Sequence, residues 1–587
     1  MRARLARRRW VAAWTAAAGL AGAAGAWAQI ATLGPPGPSA VTSMTPDVVL
    51  RRADWLVYGP LDVEDLLRSV AGVTLVHNGG TGSLQFLGLL GSQSGRVQVV
   101  LDGLDVTDVE AAMPRLLAIP LGAIDRIEIF RTTEPARIAF WSRESDAAEP
   151  AVDVDLTRGD FGGRTRRVQF FTPPRLVTLG LSYDEVLNED QDFRADRTTE
   201  PPLGLGAADQ RSLAVRVDLQ RDQDRVRLSH WRTNTNAHGT LFDTADLLPA
   251  QAVRTGLRWE RPGTHLQSVV EVAHQAWDEP RVLDAAARGL RSARTIAALD
   301  LGTVTAGPWS AWLRARGDET SADGVALDGT ALHRRVRAEH AELAIGRTGT
   351  LRLAAAGGAH HDPRAGAMWS ASGSAGVGGE RWSLVARGGR GVQFAGVAPA
   401  DSVPRRGDHL VLELVRRTPT LDVKVQGFAK RFQDRFAAGF DAWRLGGRGL
   451  QRAVGAALDA GWTRAGNRWI GGAQTSVTVV PYQTGDPGGL PEWQGRLQAR
   501  AGVRLFADDL IVQLTTGWAV DSERRYGDGP SLGSTAIGGG LVDAQVMQRL
   551  HLFLGAQNLA GAEVLDIPGV RRPERNVFAG FRVRVLD

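Results

Sequence analysis

Residues 496–505 read RLQARAGVRL. Leu497, Ala499, Ala501, Val503 and Leu505 alternate with Arg496, Gln498, Arg500, Gly502 and Arg504, so a β-strand here is greasy on one face and polar on the other. The same period of two recurs in RSLAVRVDL (211–219), in LDVKVQGF from Leu421 and in FRVRVL from Phe581. From about residue 150 onward it does not give way to a helical period.

Alternation alone fits a sandwich as well as a barrel, and the turns separate them. Very short breaks fall at 172, 221, 261, 305, 346, 377, 418, 465, 507 and 547. Longer polar segments lie between them, near 185–210, 234–251, 278–292, 318–332, 360–366, 395–406, 433–449, 481–490, 522–533 and 560–574. Strict alternation of tight turns with longer loops predicts a transmembrane β-barrel of about 22 antiparallel strands, the only kind of sheet that crosses lipid without an unpaired edge. Seventeen Trp against four Tyr would supply the interfacial girdles, with Trp231, Trp309, Trp312 and Trp469 near strand ends.

Composition agrees. The 587 residues exceed one ordinary domain, and a mean hydropathy of −0.15 excludes a helical membrane protein. The N-terminus reads as a cleaved signal peptide over 1–28. Arg2, Arg4, Arg7, Arg8 and Arg9 precede the apolar WVAAWTAAAGLAGAAGA, and Ala26-Trp27-Ala28 fits a small-x-small cleavage site. Those five arginines account for the whole formal charge of +5, so the exported chain is near neutral and nucleic acid is not an expected partner. No cysteine is present, which excludes disulfides and thiolate metal sites.

Residues 29–60 are rich in Pro, Gly and Ser and read as a flexible periplasmic lead-in. Residues 61–148 are written differently from the barrel at 149–587. DVEDLLRSVAGV places Val63, Leu66, Leu67 and Val70 on one helical face and closes at Gly72. GRVQVVLDGLDV (95–106) turns at Asp102-Gly103, a hairpin signal. LGAIDRIEIFR (121–131) is a further strand. A barrel this wide leaves a pore unless it is filled, and this α/β module is the expected filling.

On these residues the chain resembles the TonB-dependent outer-membrane receptors, a plug domain inside a β-barrel. EDLLRSVAGV (Glu64–Val73), VVLDGLDV (Val99–Val106) and IPLGAIDRIEIFR (Ile119–Arg131) follow the plug pattern in order. AVDVDLTRG from Ala151 is similar to the first barrel strand, and GAQNLAGAEVLDIPGVRRPERNVFAGFRVRV to the last hairpin. Departures are Ala71 for the usual proline, Phe86-Leu87-Gly88 where an Arg-Gly is usual, Thr132-Thr133 for Gly-Pro, and a final Asp587 rather than an aromatic.

The resemblance implies uptake of a scarce nutrient such as an iron chelate or cobalamin. The implied partners are a TonB-type inner-membrane energy-transducing protein, outer-membrane lipid and lipopolysaccharide, and a small nutrient ligand. It implies ligand contact at the plug's apical loops, HNGGTG and LLGSQSG, with His77, Asn78, Gly79, Gly80 and Gln93 as candidates. It implies plug seating through Asp102, Asp125, Arg126, Glu128 and Arg131, the Asp125–Glu128 set facing wall arginines such as Arg496, Arg500 or Arg504. The nearest candidate for the coupling segment is Asp47-Val48-Val49-Leu50.

No catalytic constellation, cofactor motif or metal site is assigned. His360-His361-Asp362 needs further ligands from elsewhere, and NEDQD (188–192) lacks the glycine of a calcium loop. The alternative reading is a transport-inactive plugged barrel with a binding, adhesion or structural role in the envelope. A barrel enzyme is a more distant rival.

Overall fold

In the computed structural model the described residues are 46–586, apart from 78–84, 93–96, 107–115, 189–207, 238–247, 394–404 and scattered stretches of five residues or fewer. Two bodies of structure are nested. The inner one is a mixed sheet with spatial order β1-β6-β7-β4-β5. Its strands are β1 (Val48–Arg51), β4 (Val97–Leu101), β5 (Leu104–Asp105), β6 (Ile124–Phe130) and β7 (Ala136–Ser142). A separate hairpin joins β2 (Val73–His77) to β3 (Gln85–Leu89), and two short helices, α1 (Arg52–Leu56) and α2 (Val63–Arg68), pack on the sheet's apolar side. Asp62 caps α2 by accepting the Asp65 N–H at 2.8 Å. Asp102 and Gly103 both have positive φ, the geometry a two-residue hairpin needs.

The outer body is a closed antiparallel barrel of 22 strands, β8 (Ala151–Gly159) to β29 (Asn576–Leu586), the last pairing with the first. The strand count and the start at Ala151 match the sequence reading, and every short turn read from the sequence joins two strands. Closure leaves no edge, so every ladder bond is made within the wall. Even-numbered Leu410, Leu412 and Leu414 on β21 (Arg405–Arg417) stand outward, while Val411, Glu413 and Val415 are buried against the lumen. Trp309, Trp382 and Trp469 are exposed at strand ends beside the short turns, and Trp369 and Trp493 at the opposite rim. These are the two girdles of a membrane band. Arginine at Leu412, mid-strand on the lipid side, is expected to cost about 2–4 kcal/mol of barrel stability. The urea midpoint of the barrel refolded in vesicles reads that loss.

Four expectations are corrected. The lead-in does not extend to residue 60: Val48–Arg51 is an edge strand of the inner sheet and Arg52–Leu56 a helix, with Trp55 in the core. Residues 278–292 and 318–332 are mostly strand, because β14 (Leu266–Leu283) to β17 (Ala331–Arg347) run past the apolar band. Trp231 and Trp312 are not girdle residues. Trp231 faces inward and joins the plug's apolar core, and Trp312 is buried on the lumen-facing register of β16 (Trp309–Val325). His360-His361-Asp362 is the end of strand β18 (Leu351–Asp362), not a loop.

Candidate functional site: the seam between plug and wall

The plug core is apolar. Leu66, Leu67, Leu75, Val97, Val99, Ile127, Ile129, Ile138 and Phe140 pack together, and among the described residues only Ala214 and Trp231 of the wall join them. A second apolar contact sets Leu90 against Val411, Phe428, Ala453, Ala457 and Val480 of the wall. Most other joints between the two bodies are polar.

The densest joint surrounds Asp47, which precedes β1 and is 3% exposed. Its carboxylate accepts the Thr132 N–H at 2.8 Å, the Thr132 hydroxyl, a Gln426 Nε2–H at 2.7 Å and the Arg387 guanidinium. Its carbonyl oxygen accepts from Lys424 Nζ, and its own N–H donates to Ile129 O at 2.8 Å. Glu413 completes the cluster, taking Gln426 at 2.8 Å and lying 3.5 Å from Arg387. Arg387 belongs to β20 (Trp382–Gln393), and Lys424 and Gln426 to β22 (Leu421–Asp434). Burial alone would push the Asp47 carboxyl up, but Arg387, Lys424, Arg131 and the Thr132 N–H outweigh it and hold it at about 2.

A neighbouring joint is centred on Arg131, fully buried, which donates to Ala71 O at 2.6 Å and pairs with Asp459. Lys430 Nζ donates to Arg131 O at 2.6 Å and to Ser92 Oγ at 2.8 Å, and Ser92 donates to Glu134 at 2.8 Å. The chain has two lysines in all, Lys424 and Lys430, and both reach from one wall strand into this seam. An ammonium offers three rotatable donors on a flexible stem, which suits a cluster of backbone carbonyls.

Further joints surround the plug. Gln494 accepts the Gly72 N–H at 3.0 Å, and Arg496 donates to Arg68 O at 3.0 Å. Gln557 donates to Asp65 at 2.8 Å, and Asp184 accepts the Gly122 N–H at 3.0 Å. Arg216 donates to Arg143 O at 2.7 Å, and Arg294 lies 3.5 Å from Asp105. At Gly391 the wall touches plug backbone. A Cβ there would fall 2.5 Å from Pro135 Cδ and closer still to Glu134 O. Gly391→Ala is therefore expected to loosen the plug by about 1–3 kcal/mol while leaving the barrel intact. Limited proteolysis of the plug, beside the unchanged migration of the folded barrel, reads it.

Of the residues singled out in the sequence, Asp47 and Arg131 lie at the two densest joints. Val48, Val49 and Leu50 pair with Ile129, Glu128 and Ile127 of β6. Asp102 holds the hairpin by accepting the Ser142 N–H at 2.8 Å. Arg126 and Glu128 pair with each other, 3.3 Å apart, and Arg496 is engaged with Arg68 O and Asp521. Both Arg126 and Glu128 sit on β6, where neighbouring Val49 and Arg51 occupy the facing register. His77 ends β2, while Asn78, Gly79, Gly80 and Gln93 lie outside the described residues. Leu90 and Ser92, read as apical loop, are buried at the wall. The sequence reading missed Arg387, Glu413, Lys424, Gln426 and Lys430. The signal available was LDVKVQGFAK, where Lys424, Gln426, Phe428 and Lys430 share one face of a strand.

With this geometry in view, residues 39–139 match the family model described as TonB-dependent Receptor Plug Domain. The whole fold is similar to solved structures at low identity. The siderophore receptor PirA from Acinetobacter baumannii superposes with TM-score 0.73 at 12% identity, over 92% of this chain and 98% of that one. A mutant of the ferric enterobactin receptor PfeA from Pseudomonas aeruginosa, in complex with enterobactin, gives 0.74 at 12% over 93% and 100%. The copper transporter OprC gives 0.73 at 14% over 92% and 99%. The chain thus carries a TonB-dependent receptor plug domain, seated in the closed 22-strand barrel that characterises the fold of those receptors.

Proposed function

We propose that this protein is an outer-membrane receptor that takes up a scarce small nutrient, and that a TonB-type inner-membrane protein supplies the work by pulling on the chain that enters at Asp47. One observation carries the reading. The stopper's first strand is a four-residue edge strand whose entry point, Asp47, is held to the barrel wall by a buried ionic cluster. An apolar seam resists displacement in proportion to its area, whereas an ionic one yields once water reaches it. Ligand bound above the plug would bias it between seated and displaced states. The similar receptors named for siderophores, iron and copper point to a metal chelate or metal ion as the cargo class. Export through a cleaved signal peptide and contact with lipopolysaccharide at the outer rim complete the proposal.

Uptake of labelled ferric chelate, cobalamin or copper by cells with an energised or collapsed inner-membrane gradient tests it. Energy-dependent accumulation that disappears on deleting Asp47–Leu50, with surface binding retained, is the expected result. Accumulation that ignores the gradient would refute it. The replacement of an Arg by Leu87, buried in β3, favours a second reading, a plugged barrel that binds without transporting. Binding with no energy-dependent accumulation for any ligand class would select that one.

A further inference from the structure

On the lumen wall the ladder brings three metal-ligating side chains into one row. His340 of β17 stands opposite His360 of β18, and His360 stands opposite Met368 of β19 (Gly366–Gly378). Opposite residues of an antiparallel pair have Cβ atoms about 4.5–5.5 Å apart, so the row is a contiguous patch. Its face is fixed by its neighbours. Arg316 pairs in register with His340 and binds Asp318 at 3.2 Å. Asp318 also binds Arg294, which reaches Asp105 of the plug. The alternate residues Leu343 and Ile345 are exposed toward lipid. The row therefore faces the lumen at the height of the plug's β5.

The local chemistry suits a cation. The two imidazole rings lie 4.3 Å apart between centroids and are tilted by 31°. His340 Nε2 has no hydrogen-bond partner and lies 3.7 Å from the Glu342 carboxylate, beyond hydrogen-bond range. His360 Nε2 is held by Ser370 Oγ at 2.8 Å, the kind of oxygen partner that orients a histidine ligating through its other ring nitrogen. The nearest arginines are already matched, Arg314 with Asp300 at 2.6 Å and Arg316 with Asp318. Met368, in register with His360, is buried. Among the described residues no three His, Cys, Asp or Glu form a metal-sized group; the further donor that the ladder brings to this row is the Met368 thioether, in register with His360. Two imidazoles and a thioether form a soft-to-borderline set that favours copper, above all copper(I), over zinc or iron(III). Converging them on one ion asks for rotations about side-chain torsions, which are broad for histidine χ2, not for a backbone shift.

We propose that His340, His360 and Met368 form a copper(I) site in the lumen wall beside the plug, with Glu342 as the adjoining carboxylate. As a waypoint for cargo the site rests on the uptake reading. As a binding site it does not.

The test uses the full chain purified in detergent, with copper(I) maintained by ascorbate, a chromogenic copper(I) chelator as competitor, and zinc(II) titrated separately. Wild type is expected to withdraw one copper per chain from the competitor. Met368→Leu, which keeps the apolar volume, should weaken copper(I) at least tenfold and leave zinc(II) unchanged. His340→Ala and His360→Ala should each abolish copper binding while the folded barrel keeps its migration. A wild type that holds no more copper than the His340→Ala/Met368→Leu double variant overturns the site, even if the same preparation binds a ferric chelate and the receptor reading survives. Copper bound as described, in cells that accumulate nothing, keeps the site and removes the uptake reading.

Discussion

Replacing Asp47 by alanine is expected to unseat the first strand of the plug. The change strips the counter-charge from buried Arg387 and an acceptor from Gln426 and Thr132 at once. Removing one partner of a buried, hydrogen-bonded ion pair typically costs about 3–5 kcal/mol, because the remaining charge stays buried. That is a factor of about 100 or more in the opening equilibrium. Hydrogen exchange of the Val48–Arg51 amides should accelerate by that factor, while the amides of β12 (Asp224–Ala237) stay as protected as in wild type. Unchanged protection of β1 would show that the cluster does not hold it.

The same carboxylate gives a pH dependence. Its native pKa of about 2 lies below the ordinary 3.8. The contribution is complete above the ordinary value and is lost as pH falls through the native one. Seating should therefore weaken by about 2 kcal/mol between roughly pH 4 and pH 2. Asp47→Asn, which cannot ionise, should flatten that part of the profile.

The second large effect is a block. Val49 and Glu128 are directly opposite in the β1–β6 pair. Opposite residues in an antiparallel ladder have Cα atoms about 4.5–5.5 Å apart, within disulfide range. The native chain has no cysteine to compete. On the uptake reading proposed above, Val49→Cys/Glu128→Cys, oxidised in the membrane, is expected to cut energised uptake at least tenfold with ligand binding unchanged, and a reductant should restore it. Full uptake with the crosslink complete would mean that β1 is not drawn away from β6 during transport.

The barrel was legible because its signal is repetitive. Each strand repeats the same two-faced pattern, and tight turns such as Thr418–Thr420 punctuate it. The errors have local causes. On β16, the Glu319 and Asp323 side chains are exposed beyond the apolar band, so a strand surrounded by water has the composition of a loop. Val48–Arg51 is four residues with no turn signal, and it is a strand only because Ile127–Ile129 lies beside it. Trp231 was placed at a rim because hydropathy does not distinguish a lipid-facing indole from one packed on the plug. The seam itself was half legible. Asp47 stands in the coupling-segment candidate and Arg131 in a recognisable plug strand, but their partners Arg387, Lys424 and Asp459 lie more than three hundred residues away. No spacing rule links them; only closure of the barrel around the plug does.

The most direct test of the central claim, a lipid-facing cylinder stoppered by its own N-terminal domain, is the ionic conductance of the full chain in a planar bilayer. Insertion should add current indistinguishable from the bare membrane at neutral pH, since the plug and its seam fill the lumen. A steady, wide, water-filled conductance from the unmodified protein would contradict the account.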